Sequence, residues 1–90
     1  MQTKDIERGR LAKDVLENAV YRDAFDGIKR ELYNRWLTAE NVQERENLSG
    51  FGKMLDKVES SLRATMVTGE IELANLEHKQ KRTLREVIGL

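Results

Sequence analysis

Apolar residues recur at alternating steps of three and four in the second half of this chain, and no other feature limits its fold as strongly. They are Leu48, Phe51, Leu55, Val58, Leu62 and either Thr65 or Met66. This spacing places one apolar stripe along an α-helix and is typical of helices packed at about 20° to each other. The 90-residue chain contains no proline that would interrupt such a helix. The sequence therefore predicts an all-α fold.

A second apolar stripe precedes the first. It consists of Tyr21, Phe25, Ile28, Leu32 and Trp36. The steps of four, three, four and four again match one face of a helix. Between the two stripes, residues 37–41 give the strongest boundary signal, with Thr38 as a candidate N-cap and Glu40 in the first turn that would follow. We expect the chain to reverse there and form an antiparallel helical hairpin.

Shorter elements are predicted on either side of the hairpin. A short N-terminal helix begins at Thr3 as N-cap and ends or bends at Asn18, whose side chain competes for backbone hydrogen bonds. Thr68 and Gly69 predict a helix stop, because glycine accepts the left-handed conformation that ends many helices. A C-terminal helix or arm then begins at Glu70. One domain of residues 1–76 would thus carry a basic C-terminal helix or tail of residues 77–90.

Three glycines lie on the two predicted helices of the hairpin. Gly27 costs up to ~1 kcal/mol relative to alanine in a helix interior, so we expect another backbone to approach it. Gly50 and Gly52 flank Phe51 and predict a weak or bent helix at that point.

One narrow hairpin has too little surface to bury all of these apolar groups, so either the outer helices fold back or other copies cover the remainder. We favour self-association. The residues expected to form the helix-packing and self-association surface are Phe25, Ile28, Leu32, Trp36, Leu48, Phe51, Leu55, Val58 and Leu62.

Charge and reactive residues argue against an enzyme. Sixteen basic residues balance sixteen acidic ones, and the chain has one histidine and no cysteine. His78 stands alone among polar residues, so no zinc site is expected. The carboxylates have basic neighbours at helical spacing and predict solvated faces. We expect no catalytic residue, cofactor, metal or small-molecule ligand, and no apolar run approaches the length needed to cross a membrane.

The C-terminal segment combines positive charge with a final apolar group. Its basic residues are Lys79, Lys81, Arg82 and Arg85, and its apolar residues are Val87, Ile88 and Leu90. The basic residues could contact nucleic-acid phosphates, or they could complement the dipole at a helix C-terminus. The apolar group could close the end of the bundle, or it could bind in a groove of a partner protein.

Three segments resemble a group of short helical proteins encoded by tailed bacteriophages. They are residues 7–18 (ERGRLAKDVLEN), 33–36 (YNRW) and 66–70 (MVTGE), and the resemblance covers roughly residues 5–76. It implies a small protein encoded among packaging and structural genes, located in the cytoplasm of the infected bacterium or on the virion.

Together these observations predict a non-enzymatic helical protein–protein interaction module for phage assembly or virion structure. Its partner would be a second copy or a larger morphogenetic protein. Two alternatives remain: a DNA-binding accessory of the packaging machinery that uses the basic tail, and a small inhibitor of a host protein.

Overall fold

The computed structural model describes residues 2–89, with side chains from residue 4 onward. Within this range the chain forms three helices and no strand, namely α1 (Gln2–Glu17), α2 (Ala19–Leu37) and α3 (Val42–Ile88). The all-α prediction is confirmed. The molecule is a rod with principal extents of 73 × 24 × 19 Å, because α3 has 47 residues and a helix rises about 1.5 Å per residue.

Asn18 separates α1 from α2, as the sequence predicts. Its backbone is extended, with φ −68° and ψ 121°, and its Oδ1 accepts a hydrogen bond of 2.9 Å from the backbone N–H of Tyr21. This bond satisfies one of the free N–H groups of the first turn of α2. The start of α1 differs from the prediction, because the backbone of Thr3 already lies inside a helix that begins at Gln2.

The second break also lies where the sequence predicts it, but a different residue caps the helix that follows. Thr38 ends α2, and its hydroxyl donates to the carbonyl oxygen of Asn34 over 3.2 Å. Asn41 is the N-cap of α3 and accepts a hydrogen bond of 2.8 Å from Glu44 N–H. The assignment of Thr38 as an N-cap is therefore wrong, since its hydroxyl is used by the helix that precedes it.

The predicted helix stop at Thr68 and Gly69 is wrong, because α3 continues without a break to Ile88. A Cβ added at Gly69 would lie 2.8 Å from both Gly9 Cα and the Asp5 carbonyl oxygen. Glycine is needed at position 69 because the backbone of α1 crosses α3 there. The left-handed glycine that ends α3 is Gly89, with φ 76°.

The C-terminal segment is consequently not a separate helix. Residues 77–88 continue α3, and they extend beyond the part of α3 that α1 covers. The prediction of a close backbone approach at Gly27 is also wrong, since no atom lies within 4 Å of a Cβ built there. Gly50 and Gly52 lie inside the unbroken α3 helix and are likewise open.

The buried core is small for a chain of this length. Among the residues whose side chains the structure describes, the buried apolar ones are Ile6, Ala12, Phe25 and Ala39. Contacts of α3 with α1 are more extensive than those with α2. The predicted antiparallel hairpin of α2 and α3 is therefore not confirmed as the main packing unit, although α2 and α3 do contact each other.

Candidate interaction surface

The contact between α2 and α3 has a charged side. Lys29 Nζ lies 3.0 Å from Asp56 Oδ1 and 3.8 Å from Glu59 Oε2, which links the two helices. Glu59 also accepts a hydrogen bond of 3.1 Å from Arg63, one turn further along α3. The charges on this side are therefore balanced within the chain.

Lys29 is held over the edge of the small core. Its ammonium group lies 5.4 Å from the centre of the Phe25 ring, a distance suited to a cation–π interaction. The hydrogen bond to Asp56 raises the pKa of Lys29 above its ordinary value of 10.5; the negative charges of Asp56, Glu59 and Asp26 act in the same direction, and partial desolvation opposes them. The site therefore favours the charged form of the lysine.

An open groove runs along the same side toward the turn between α2 and α3. Its volume is about 290 Å³, and its lining includes Tyr33, Trp36 and Leu48. Arg45 stacks over the Trp36 ring at 5.7 Å and reaches the carbonyl oxygen of Ala39 at 3.4 Å. These contacts fix the position of the tryptophan, although its ring stays partly exposed.

The opposite side of the same contact is apolar, and we call it the apolar face. It consists of Ile28, Phe51, Met54 and Val58, which are between 47% and 66% exposed. Phe51, Met54 and Val58 follow one another at steps of three and four, so they share one face of α3. Asp56 and Glu59, which bind Lys29, lie on the other flank of that helix.

Ile28 belongs to the apolar face because of its position relative to Lys29. Successive residues of a helix point about 100° apart, so Ile28 and Lys29 flank the buried Phe25 on opposite sides. Since Lys29 points toward Asp56, Ile28 lies on the side of α2 that adjoins Phe51 and Val58. The apolar face therefore spans both helices.

The predicted packing residues separate into three groups. Phe25 is buried, while Leu32, Leu48, Leu55 and Leu62 are half-buried. Ile28, Trp36, Phe51 and Val58 are exposed. The structure thus places the four leucines along the contacts of α2 and α3. The residues of the third group remain exposed to solvent.

Sequence reasoning missed two features of these surfaces. Met54 belongs to the apolar face, and the signal was present because it lies three residues after Phe51 and four before Val58. The close crossing of α1 and α3 at Gly9 and Gly69 was also missed. Its one sequence signal was that α1 contains a glycine, Gly9, that could face Gly69.

The basic cluster of the C-terminal segment lies on the last turns of α3. Lys79, Lys81, Arg82 and Arg85 are exposed, and among the described residues none of them forms a salt bridge. Val87 and Ile88 are exposed beside them, and Leu90 lies outside the described residues. Leu84, which the sequence reasoning did not select, is exposed as well.

The described residues contain neither a metal cluster nor a membrane span. Between residues 2 and 89, no group of three or more histidine, cysteine, aspartate or glutamate side chains is placed to hold a metal ion. In that range no helix has an apolar stretch sufficient to span a bilayer. No protein-family model matches the sequence, and comparisons with curated proteins and with solved structures give no significant match.

Proposed function

We propose that this chain is a non-enzymatic helical protein–protein interaction module that acts in tailed-phage assembly or virion structure. In this proposal α2 and α3 are the two arms of an antiparallel hairpin, which α1 braces from one end. The hairpin self-associates or binds a larger morphogenetic protein through apolar side chains that the chain itself leaves uncovered.

The observation that supports this proposal is the amount of exposed surface. The accessible surface is 7525 Å², whereas a compact protein of 10.4 kDa exposes roughly 5,400 Å². Large apolar residues account for part of the difference, among them Phe51 and Met54. Because contiguous exposed apolar surface of this kind marks interaction sites, a protein partner is the simplest explanation.

The phage context of the proposal comes from the resemblance of residues 7–18, 33–36 and 66–70 to short phage-encoded helical proteins. In this proposal the protein acts in the cytoplasm of the infected bacterium or on the virion. Recovery of a tagged copy from infected cells tests this context. We expect capsid or other morphogenetic proteins to accompany the wild type and to be lost with Met54→Glu, while the exposed-site control Val67→Glu retains them.

Other outcomes of that recovery count against the proposal. A host protein recovered in constant proportion would favour the inhibitor function instead. Recovery of the tagged chain alone, from cells in which it is folded and abundant, would contradict an interaction module.

DNA binding is a second candidate, supported by the four exposed basic side chains at the end of α3. If each of these four side chains neutralises one phosphate, a plot of the logarithm of the affinity for duplex DNA against the logarithm of salt concentration should have a slope of about −3.6. The four are Lys79, Lys81, Arg82 and Arg85. Replacing all four with glutamine should abolish binding. Absence of binding by the wild type at low salt would exclude this function.

A further inference from the structure

We propose that the apolar face binds a second copy of this chain, so that two α2–α3 pairs meet face to face as a four-helix arrangement. The inference rests on the proposed function and adds to it the surface, the occupant and the number of copies. In such a pair the apolar face of each copy covers that of the other. Its residues are Ile28, Phe51, Met54 and Val58.

The area that the rod exposes is more than sufficient for one dimer interface. Each copy exposes about 2,100 Å² more than a compact protein of its mass, as the values above show. A standard interface buries about 800 Å² on each partner, and obligate homodimers bury 2,000 Å² or more in total. A standard interface centred on the apolar face would cover less than half of this excess, which belongs to the rod as a whole.

The charge distribution favours a second copy at this face. Glu31 and Arg35 follow Ile28 on α2 at steps of three and four and are paired with each other at 2.7 Å, so two copies can approach without placing an unpaired charge of this edge opposite the apolar face. The charged side of α2 and α3 has its carboxylates and cations already paired through Lys29, Asp56 and Glu59. The last turns of α3 carry four basic residues against two acidic ones and would repel a copy of themselves.

The remaining exposed apolar residues form smaller groups. On α3 they include Val67 with Ile71, and Leu84 with Val87 and Ile88. On α2 they are Val20 alone, and Tyr33, Trp36 and Leu37 near the turn. The apolar face combines four large side chains from two helices in contact. A twofold axis through it makes the contact self-complementary, as in most homodimers.

Sedimentation of matched variants tests the surface. We expect the wild type to have twice the mass of the 10.4 kDa chain at micromolar concentration. Met54→Glu should reduce the mass to that of one chain, because it places two carboxylates in the interface. Val67→Glu, at a site with 45% exposure on another face of α3, should leave the dimer intact.

Cross-linking tests the same surface without a destabilising charge. The chain has no cysteine, so single cysteines can be introduced at Phe51, Met54 or Val58 and joined with a short bis-maleimide. We expect covalent dimers from these variants at protein concentrations where Val67→Cys and Val87→Cys give none. This readout applies even if Met54→Glu fails to fold.

Three outcomes would overturn the inference, and they differ in what they say about the proposed function. A stable oligomer that cross-links only through Val67 or Val87 would exclude the apolar face but leave an interaction module. A wild-type monomer that is recovered with a morphogenetic protein would exclude the second copy only. A folded wild-type monomer that recovers no partner would contradict both.

Discussion

The two contacts that α3 makes differ in kind. At its crossing with α1, two backbones come so close that Gly9 and Gly69 have no room for a Cβ, and both glycines are buried. At its contact with α2, the helices meet through side chains, with ion pairs on one side and an exposed apolar face on the other. The α1–α3 crossing is complete within one chain, whereas the α2–α3 contact leaves apolar side chains exposed to solvent.

The chain has a small core, and the close α1–α3 crossing helps to hold its helices together. Close backbone approach gives α1 and α3 many van der Waals contacts without large side chains, and Ile6 and Ala12 are buried beside the crossing. The larger apolar residues are concentrated on α2 and the first half of α3, where they remain about half exposed. The crossing with α1 therefore leaves little apolar surface uncovered, whereas the contact with α2 leaves more.

The largest expected effect is that of a charge within the α2–α3 contact. Leu55 is half-buried, so Leu55→Asp removes apolar contacts and places a carboxylate at the contact, at a cost of about 3 kcal/mol. We expect loss of helicity by circular dichroism. Val67→Asp, outside the contact, should cost less than about 1 kcal/mol. Unchanged melting and unchanged mass of Leu55→Asp would contradict its assignment to the contact.

The α1–α3 crossing can be tested with one substitution at two glycines of the same helix. Gly69→Ala places a Cβ 2.8 Å from the backbone of α1 and should cost about 2 kcal/mol after the gain in helix propensity. Gly50→Ala meets no atom within 4 Å and should stabilise the helix by about 0.5–1 kcal/mol. Urea unfolding measures both, and the two values should have opposite signs.

A substitution at the junction between α1 and α2 should have a smaller effect on the free energy of unfolding. Asn18→Ala removes the side chain that caps α2 and should cost about 1 kcal/mol. The same substitution at the exposed mid-helix Asn75 should stabilise slightly, because alanine is the better helix former. Equal effects of the two substitutions on the melting temperature would show that Asn18 is not an effective cap.

The ion pair of Lys29 should give the smallest effect, because the side chain is exposed to solvent. A pKa raised in the folded state means that folding favours the protonated lysine. This stabilising contribution is complete below the ordinary pKa of 10.5 and is lost as pH rises through the higher folded value. Melting curves recorded above that pH should show less loss of stability for Lys29→Met than for the wild type, and Asp56→Asn should behave like Lys29→Met.

The sequence predicted the fold class and both helix breaks because these depend on local chemistry. A proline-free chain with apolar steps of three and four forms helices, and Asn18 and the 38–41 segment contain residues that cap them. Gly69 could not be interpreted in the same way. Glycine serves equally at a helix end and at a close crossing, and the two roles differ only in whether another helix lies against it.

The candidate surface was predictable only in part for a similar reason. The stripe from Leu48 to Leu62 identified the apolar side of α3, but it did not show that Leu55 faces the neighbouring helix while Phe51 faces solvent. That division depends on where α2 lies, and residues on a broad apolar stripe differ by less than half a turn. The exposed position of Met54 follows from the same geometry.

Sedimentation velocity of the wild-type chain across the micromolar range tests the central claim most directly. If a second copy of the chain binds the apolar face, the sedimenting species should have a mass above 10.4 kDa. Its mass should fall toward that of the single chain on dilution. A fully helical species that stays at 10.4 kDa throughout, with an unchanged melting temperature at every concentration, would contradict self-association through this surface.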